Sequence, residues 1–387
     1  MNIFSYSKQT ITKNDINNVI KTLKSNYLTQ GPSVEKFENK IKSFVKSKHA
    51  AAVNSATSGL HLACLSLGLK KNDYLWTVPN SFVASSNCAL YCGASVEFVD
   101  INSNTWNIDE NLLEKKLLQT PSKKLPKILV VVHYAGEPAN LKKIFSLSKK
   151  FKFKIIEDAS HALGSKYQNH KIGNCKFSSA TVFSFHPVKP ITTGEGGVVT
   201  TNNLKIFKKI QSLRSHGIEK VNLNKNKIPK LWYYEQKDLG FNYRMNDIEA
   251  TLGISQLRNI NYFLKKRNYL ASRYKKKLST LPIKFQNLNT KNYSSYHLFT
   301  INLQKSFHVK NYDKIFNFLR KHKIFVQKHY ILIYKHPYYK KKLGKLYLKN
   351  SENFSNSVIS LPIYPTLKLS EQDFIIKKFH EILKKIK

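Results

Sequence analysis

Two short segments carry the residue types that could do covalent chemistry. In Ile155-Ile156-Glu157-Asp158-Ala159-Ser160-His161-Ala162-Leu163-Gly164 an apolar strand runs out into a carboxylate, and a histidine follows three positions later. In Phe183-Ser184-Phe185-His186-Pro187-Val188-Lys189-Pro190-Ile191-Thr192-Thr193-Gly194-Glu195-Gly196-Gly197 another strand ends in a hydroxyl residue, and a lysine follows between two prolines. Pro187 and Pro190 fix their own φ angles, so the loop aims Lys189 in a chosen direction. Functional groups of open α/β sheets collect at the carboxyl ends of strands, where Asp158 falls. A directed lysine, a strand-end carboxylate and Ser/Thr/Gly turns of phosphate size form the set that pyridoxal phosphate requires. The amine forms a Schiff base with the aldehyde, the carboxylate keeps the pyridine nitrogen protonated, and hydroxyls with helix-start N–H groups bind the phosphate. Taken singly, a proline-flanked lysine is most often a surface residue, Asp158 could be a helix N-cap, and His161 could be a satisfied core histidine. Order and spacing together favour the site.

The elements that must position these residues are legible from periodicity. Val34, Phe37, Ile41 and Val45 recur at helical spacing, and Ser58 to Leu67 reads as a helix after the turn Asn54-Ser55-Ala56-Thr57. Short apolar runs at 74–78, 95–99, 128–133, 154–157, 181–185 and 197–200 alternate with helical stretches, which predicts βαβ units and a mainly parallel sheet. A long helix is expected from Asn246 towards Leu278. Strands are then expected at 296–303 and 325–334, with helices at 312–322 and from Ser370 onwards. The fold class is α/β: a large domain over 1–245, including an N-terminal arm, and a long helix with a smaller α+β domain over 246–387.

Composition bounds the alternatives. The 387 residues hold 65 Lys+Arg against 23 Asp+Glu, a formal charge of +42, and 41% are hydrophobic. That is ample material for a large core, which excludes wholesale disorder. The lysines come as scattered doublets and triplets, such as Lys275-Lys276-Lys277 and Lys340-Lys341-Lys342, with no arginine-rich patch, so no nucleic-acid partner is expected. The longest strictly aliphatic run is Ile128 to Val132, so no membrane span or export signal is expected and the location expected is cytoplasmic. Cys64, Cys88, Cys92 and Cys175 make neither a disulfide framework nor a zinc pattern, and no metal site is expected. Cys88 and Cys92, at i and i+4, read as packing residues on one helix face.

With these blocks in view the sequence resembles the sugar-nucleotide aminotransferases of the DegT/DnrJ/EryC1/StrS family, which are fold-type I pyridoxal phosphate enzymes. The resemblance runs through Tyr27-Leu28-Thr29-Gln30-Gly31-Pro32, Asn54-Ser55-Ala56-Thr57-Ser58 and Ser81-Phe82-Val83-Ala84, then the two segments above. It continues through Arg214-Ser215-His216-Gly217-Ile218, Leu239-Gly240-Phe241-Asn242-Tyr243-Arg244-Met245 and Ser360-Leu361-Pro362-Ile363-Tyr364-Pro365. It implies that Lys189 forms the Schiff base and shuttles the proton, and that Asp158 pairs with the pyridinium nitrogen. By the same resemblance Phe82 stacks on the ring and His161 approaches its phenolic side. Ala56, Thr57 and Ser184 would hold the phosphate, with Asn242 arriving from the second subunit of a homodimer that shares its active sites. Ala56 stands where the family often has glycine, which backbone N–H binding tolerates at negative φ.

Trp232-Tyr233-Tyr234-Glu235 and Gln327-Lys328-His329-Tyr330 look most like the pseudaminic-acid branch. That likeness implies amination by L-glutamate at C4 of a UDP-linked 2-acetamido-2,6-dideoxy-4-hexulose. Tyr6, Asn26, Tyr27, Leu28, Thr29, Gln327, Lys328, His329 and Tyr330 would line the sugar-nucleotide pocket, with Lys328 departing from the small or apolar residue expected there. A dTDP- or GDP-linked 4-keto-6-deoxy sugar is the alternative substrate. Family members that are sugar 3-dehydratases replace the lysine by histidine, and retention of Lys189 argues against that activity. A cysteine desulfurase of the same fold would need a cysteine beyond Cys175, and a cationic binding protein that merely kept the fold would have no reason to keep Lys189 and Asp158. The dispersed positive charge should still steer phosphorylated substrates: kcat/KM for the nucleotide substrate is expected to fall as ionic strength rises, with kcat unchanged, in steady-state assays across a salt series.

Overall fold

The computed structural model describes residues 3–219 and 232–386. Its centre is a seven-stranded sheet of β1 (His49–Val53), β2 (Tyr74–Thr77), β3 (Ser95–Phe98), β4 (Ile128–Val132), β5 (Lys154–Asp158), β6 (Ala180–Ser184) and β7 (Gly197–Thr201). The spatial order is β1-β7-β6-β5-β4-β2-β3, and every pair is parallel except those made by β7, which runs against both β1 and β6. The expected mainly parallel sheet is therefore present. Both faces are covered, which is why its strands read as unbroken apolar runs. Alternate side chains enter opposite layers. Leu129, Val131 and Ile155 pack into the layer with Phe37 and Ile144, and Ile128, Val130 and Ile156 into the layer with Leu60 and Cys88.

Helices α1 (Lys13–Leu23), α2 (Pro32–Val45), α3 (Ala56–Ser66) and α4 (Ala84–Tyr91) precede or link the first strands. Pro32 sits in the first turn of α2, where its missing N–H costs nothing, and Ser55 caps α3 by accepting from Ser58 N–H at 3.1 Å. The long helix expected from Asn246 is two helices, α5 (Asp247–Leu257) and α6 (Ile260–Lys277), divided at Arg258-Asn259. Helix α5 packs on α1 and α2, whereas α6 carries Phe263 and Leu264 into the sheet's core and Leu270, Ala271 and Tyr274 into a separate one.

That second core belongs to a three-stranded antiparallel sheet of β8 (Ile283–Phe285), β9 (Phe299–Leu303) and β10 (Val358–Leu361), backed by α7 (Tyr312–Lys321) and α8 (Leu369–Lys385). The N-terminal arm belongs here too: Phe4–Ser5 pairs in parallel with Ile324–Phe325, and Phe4 is buried in this core. The strand expected over 325–334 is only that two-residue pairing. The chain then leaves the sheet, with Gln327 bridging Ser360, and turns towards the large sheet so that Leu332 and Ile333 join the core beside Leu60. Its apolar content is that of a crossing between the two sheets rather than of a strand.

Asp247 accepts from Gly31 N–H at 2.7 Å and Ser33 N–H at 2.8 Å, which anchors the segment between α1 and α2 onto α5. Gly197 lets β7 pass the start of α3, since a Cβ there would lie 2.7 Å from Ala56 N and Ser55 O. Gly197→Ala should cost roughly 1–3 kcal/mol through this overlap, read as a lower melting temperature. It should also displace the first turn of α3.

Candidate active site

The carboxyl edge of the large sheet brings part of the sequence-predicted set into one cavity of about 480 Å³. This is within the range of roughly 300–1,000 Å³ usual for small-molecule sites. Its lining includes Tyr6, Ala56, Thr57, Phe82, Asp158, His161, Ser184, Lys189, His329 and Tyr330. Sheet order dictates where each group lies. From β1 come Ala56 and Thr57 at the start of α3, from β6 comes Ser184, from β5 comes Asp158, and beyond β4 lies the turn Tyr134-Ala135-Gly136.

Asp158 is buried and held from two sides. Ser85 Oγ donates to Oδ2 at 2.6 Å, and Ser160 N–H donates to Oδ1 at 3.1 Å. Ser85 in turn contacts Ser81 Oγ at 2.8 Å, linking the carboxylate to the start of α4. Lys189 is half-buried, open towards the cavity, and desolvation pulls its pKa down to about 8 against the opposing charge of Asp158. Its loop is closed by Lys189 N–H to His186 O at 2.9 Å and Thr193 N–H to Phe185 O at 3.0 Å. Ser7 Oγ adds a bond to Val188 O at 2.9 Å, and Arg267 Nη2 donates to Ser7 Oγ at 3.4 Å. The directed lysine is thus set by tertiary bonds as well as by its prolines.

Three histidines stand near this amine. Burial first, then the charge of Lys189, lowers the pKa of His161, His297 and His329, the last to about 3. All three are neutral at physiological pH. His161 Nδ1 accepts from Ala135 N–H at 3.3 Å, and its Nε2 lies 3.0 Å from Tyr330 Oη. Phe82 is 61% exposed at the cavity, a large apolar face left open where a flat ring would cover it.

Other expected residues lie apart. Asn26, Tyr27, Leu28 and Thr29 are exposed and do not line this cavity. Asn242 is exposed as well, its backbone carbonyl approached by Asn54 Nδ2 at 3.5 Å. Gln327 is exposed, and Lys328 turns away to lay its ammonium 4.3 Å from the Tyr312 ring centre, so within one chain neither lines the cavity. A strand over 325–334 would have put Gln327 on the face of His329 and Lys328 on that of Tyr330; the turn towards the large sheet separates them. The sequence reading missed Ser85, Ser7, Arg267 and Ala135. Only Ser85 left a local signal, lying one helical turn after Ser81.

The residues present fit pyridoxal phosphate. A lysine with a lowered pKa, a twice-anchored carboxylate and an open aromatic face share the cavity with a capped helix start whose approach by β7 admits no Cβ. The model of the DegT/DnrJ/EryC1/StrS aminotransferase family matches residues 9–380. A Campylobacter jejuni UDP-4-amino-4,6-dideoxy-N-acetyl-beta-L-altrosamine transaminase is 40% identical over 387 residues, covering 100% of this chain and 99% of the relative. Helicobacter pylori PseC, an aminotransferase involved in the biosynthesis of pseudoaminic acid, superposes with a TM-score of 0.91 at 34% identity over 99% of this chain and 100% of its own. Spr1654 of Streptococcus pneumoniae, described as a sugar aminotransferase and solved in its PMP form, gives 0.90 at 27% identity over 100% of both chains. With the match running nearly end to end, the chain belongs to the DegT/DnrJ/EryC1/StrS aminotransferase family.

Proposed function

We propose that the protein transfers the amino group of L-glutamate to C4 of a UDP-linked 2-acetamido-2,6-dideoxy-4-hexulose. The product would be UDP-4-amino-4,6-dideoxy-N-acetyl-β-L-altrosamine, on the route to pseudaminic acid. The observation that carries the reading is Lys189, with its lowered pKa, in one cavity with Asp158 and Phe82, in a chain 40% identical over its full length to a transaminase named for that product.

Pyridoxal phosphate, when bound, supplies a ring that accepts the electrons left when Cα loses its proton. Lys189 would hold it covalently, Asp158 would keep its nitrogen protonated, and Ala56, Thr57 and Ser184 would hold its phosphate. Phe82 would cover one ring face. Lys189 Nζ, when free, would take the proton from the donor's Cα and return a proton in the reverse half-reaction. Burial makes this feasible, because an amine with pKa near 8 is partly unprotonated at neutral pH where an exposed lysine is not. The buried histidines, all neutral, add no competing positive charge beside it.

A homodimer would complete the site. Ile16, Ile20 and Leu23 form an exposed apolar stripe on α1, followed by exposed Tyr27 and Leu28. An uncovered stripe of this size suits a subunit interface. It would bring Asn26 to Thr29 and Asn242 to the partner's cavity, which explains why they do not line their own. Among the described residues no helix is long and apolar enough to cross a membrane, in keeping with a cytoplasmic enzyme acting on a nucleotide-sugar.

The deciding assay incubates the purified protein with pyridoxal phosphate, glutamate and a panel of UDP-, dTDP- and GDP-linked 4-keto-6-deoxy sugars, with products identified by mass and NMR. The UDP-linked 2-acetamido sugar should be aminated at C4. Conversion of only dTDP- or GDP-sugars would refute the substrate assignment and leave transamination standing, and Lys189→Ala should abolish turnover with the fold retained. The reaction of the cofactor-free protein with pyridoxal phosphate, followed by visible absorbance, should speed up as pH rises through about 8 and then level off, because only the neutral amine is nucleophilic.

A further inference from the structure

Of the two cysteines whose spacing reads as helix packing, only Cys88 is spent on it. Cys88 is buried, and its Sγ donates to Ser85 O at 3.4 Å within its own helix. Cys92, at the end of α4, is the one cysteine of the four that is not buried. Helix α3 packs along α4, so Cys64 of α3 enters the same core as Cys88, and Cys92 packs against that core. Cys64 Sγ lies within hydrogen-bonding reach of both Cys88 and Cys92. His61, one turn before Cys64, completes the group. Its ring meets that of Tyr91, the neighbour of Cys92, edge-on with 5.4 Å between centres, and it hydrogen-bonds the Cys92 sulfur.

This placement gives the two thiols different protonation states. The hydrogen bond from Cys64 lowers Cys92 to about 6 against the opposing effect of burial, and His61 adds to the lowering. Burial, then the neighbouring sulfurs of Cys88 and Cys92, holds Cys64 well above the ordinary thiol value. At neutral pH the proton between them therefore stays on Cys64, and Cys92 is the thiolate. The other titratable groups beside the cluster are phenols: Tyr91 next to Cys92, Tyr243 with Oη 3.4 Å from His61 Nδ1, and Tyr339 near Cys88.

We propose that Cys92 and Cys64 form a peroxide-sensitive thiol pair, in which Cys92 is the group oxidised and Cys64 the group that resolves it into a disulfide between α3 and α4. A solvent-reaching thiolate beside a protonated partner is the arrangement this chemistry needs. The Cys92 thiolate attacks one oxygen of hydrogen peroxide and breaks the O–O bond. Its sulfur becomes a sulfenic acid, and the other oxygen leaves as hydroxide, which takes up the proton Cys92 had released. The Cys64 sulfur then attacks that of Cys92, the S–S bond forms as the S–O bond breaks, and the Cys64 proton leaves with the oxygen as water. Two thiols and one peroxide thus give one disulfide and two waters. The bond would join α3 and α4 at their ends. Ala56 and Thr57 stand at the start of the one helix, and Ser85, the donor to Asp158, at the start of the other, so the pair tethers two helices that line the cavity.

The test treats the intact protein with hydrogen peroxide and maps its peptides by mass spectrometry without reduction. A cross-link between Cys64 and Cys92 that dithiothreitol reverses is expected. It should be lost in Cys92→Ser and in Cys64→Ser and kept in Cys88→Ser, and in Cys64→Ser dimedone should capture a sulfenic acid at Cys92 instead. Iodoacetamide labelling of Cys92 across a pH series should have its midpoint at about 6, and His61→Ala should raise it. A cross-link absent from the unmutated protein overturns the proposal. So does one that joins Cys64 to Cys88, or one that forms no faster than in protein unfolded with guanidinium. A labelling midpoint at the free-thiol value of about 8.5 overturns the assignment of Cys92 as the group oxidised. Should a serine variant fail to fold by far-UV circular dichroism, the peptide map and labelling midpoint of the unmutated protein decide alone.

Discussion

A single buried guanidinium holds together the parts of the chain that make the site. Arg267, 1% exposed on α6, donates to the carbonyls of Tyr296, His297 and Ile363 at 3.3, 3.1 and 2.9 Å, and to Ser7 Oγ. Burying a charge costs several kcal/mol unless its donors are met, and burial pulls even this arginine's pKa down to about 10. The carbonyls must therefore converge on it. Their convergence fixes the entry to β9, the exit from β10 and, through Ser7 and the Val188 carbonyl, the loop of Lys189. Four segments far apart in sequence are thereby held to one point, beside the Lys189 amine.

Around that amine the protein keeps its nearest titratable rings uncharged. Lys189 and Asp158 are ionisable partners, and the three adjacent histidines are held neutral by burial and by the lysine itself. This matters for catalysis because a protonated imidazole at that distance would depress the lysine further and attract the phenolate side of the cofactor. Neutral rings instead serve as hydrogen-bond partners, as His161 does between Ala135 and Tyr330. Behind the sheet edge, Glu157 faces the other way, paired with His133 at 2.8 Å and receiving Thr181 Oγ1 at 3.0 Å, so the strand's alternation separates this carboxylate from that of Asp158 in the cavity.

The positive charge of the chain is spread over surfaces this chemistry does not use. Its lysines occupy exposed faces, as in Lys340, Lys341 and Lys342, or lie across aromatic rings, as Lys328 does on Tyr312. Such side chains cover apolar surface with their stems and leave the ammonium in water. That arrangement is compatible with a general electrostatic steering role and requires no dedicated anionic partner.

What the sequence determined by itself is whatever local order can encode. Apolar runs such as Ile128 to Val132 specify buried parallel strands, the strand-end position of Asp158 places it at the ligand edge, and two prolines restrict the loop of Lys189. Those features were legible because each depends on residues within a few positions of one another. Tertiary structure alone decided the rest. Neither the break between α5 and α6 nor the turn after Phe325, where the chain crosses between sheets, has a local period. Ser85 reaches Asp158 across 73 positions, Ser7 reaches Val188 across 181, and His161 meets Tyr330 across 169. Hydrogen bonds at such separations depend on the packing of whole layers, so their partners cannot be read from spacing, and it is they that turn a lysine and a carboxylate into a site.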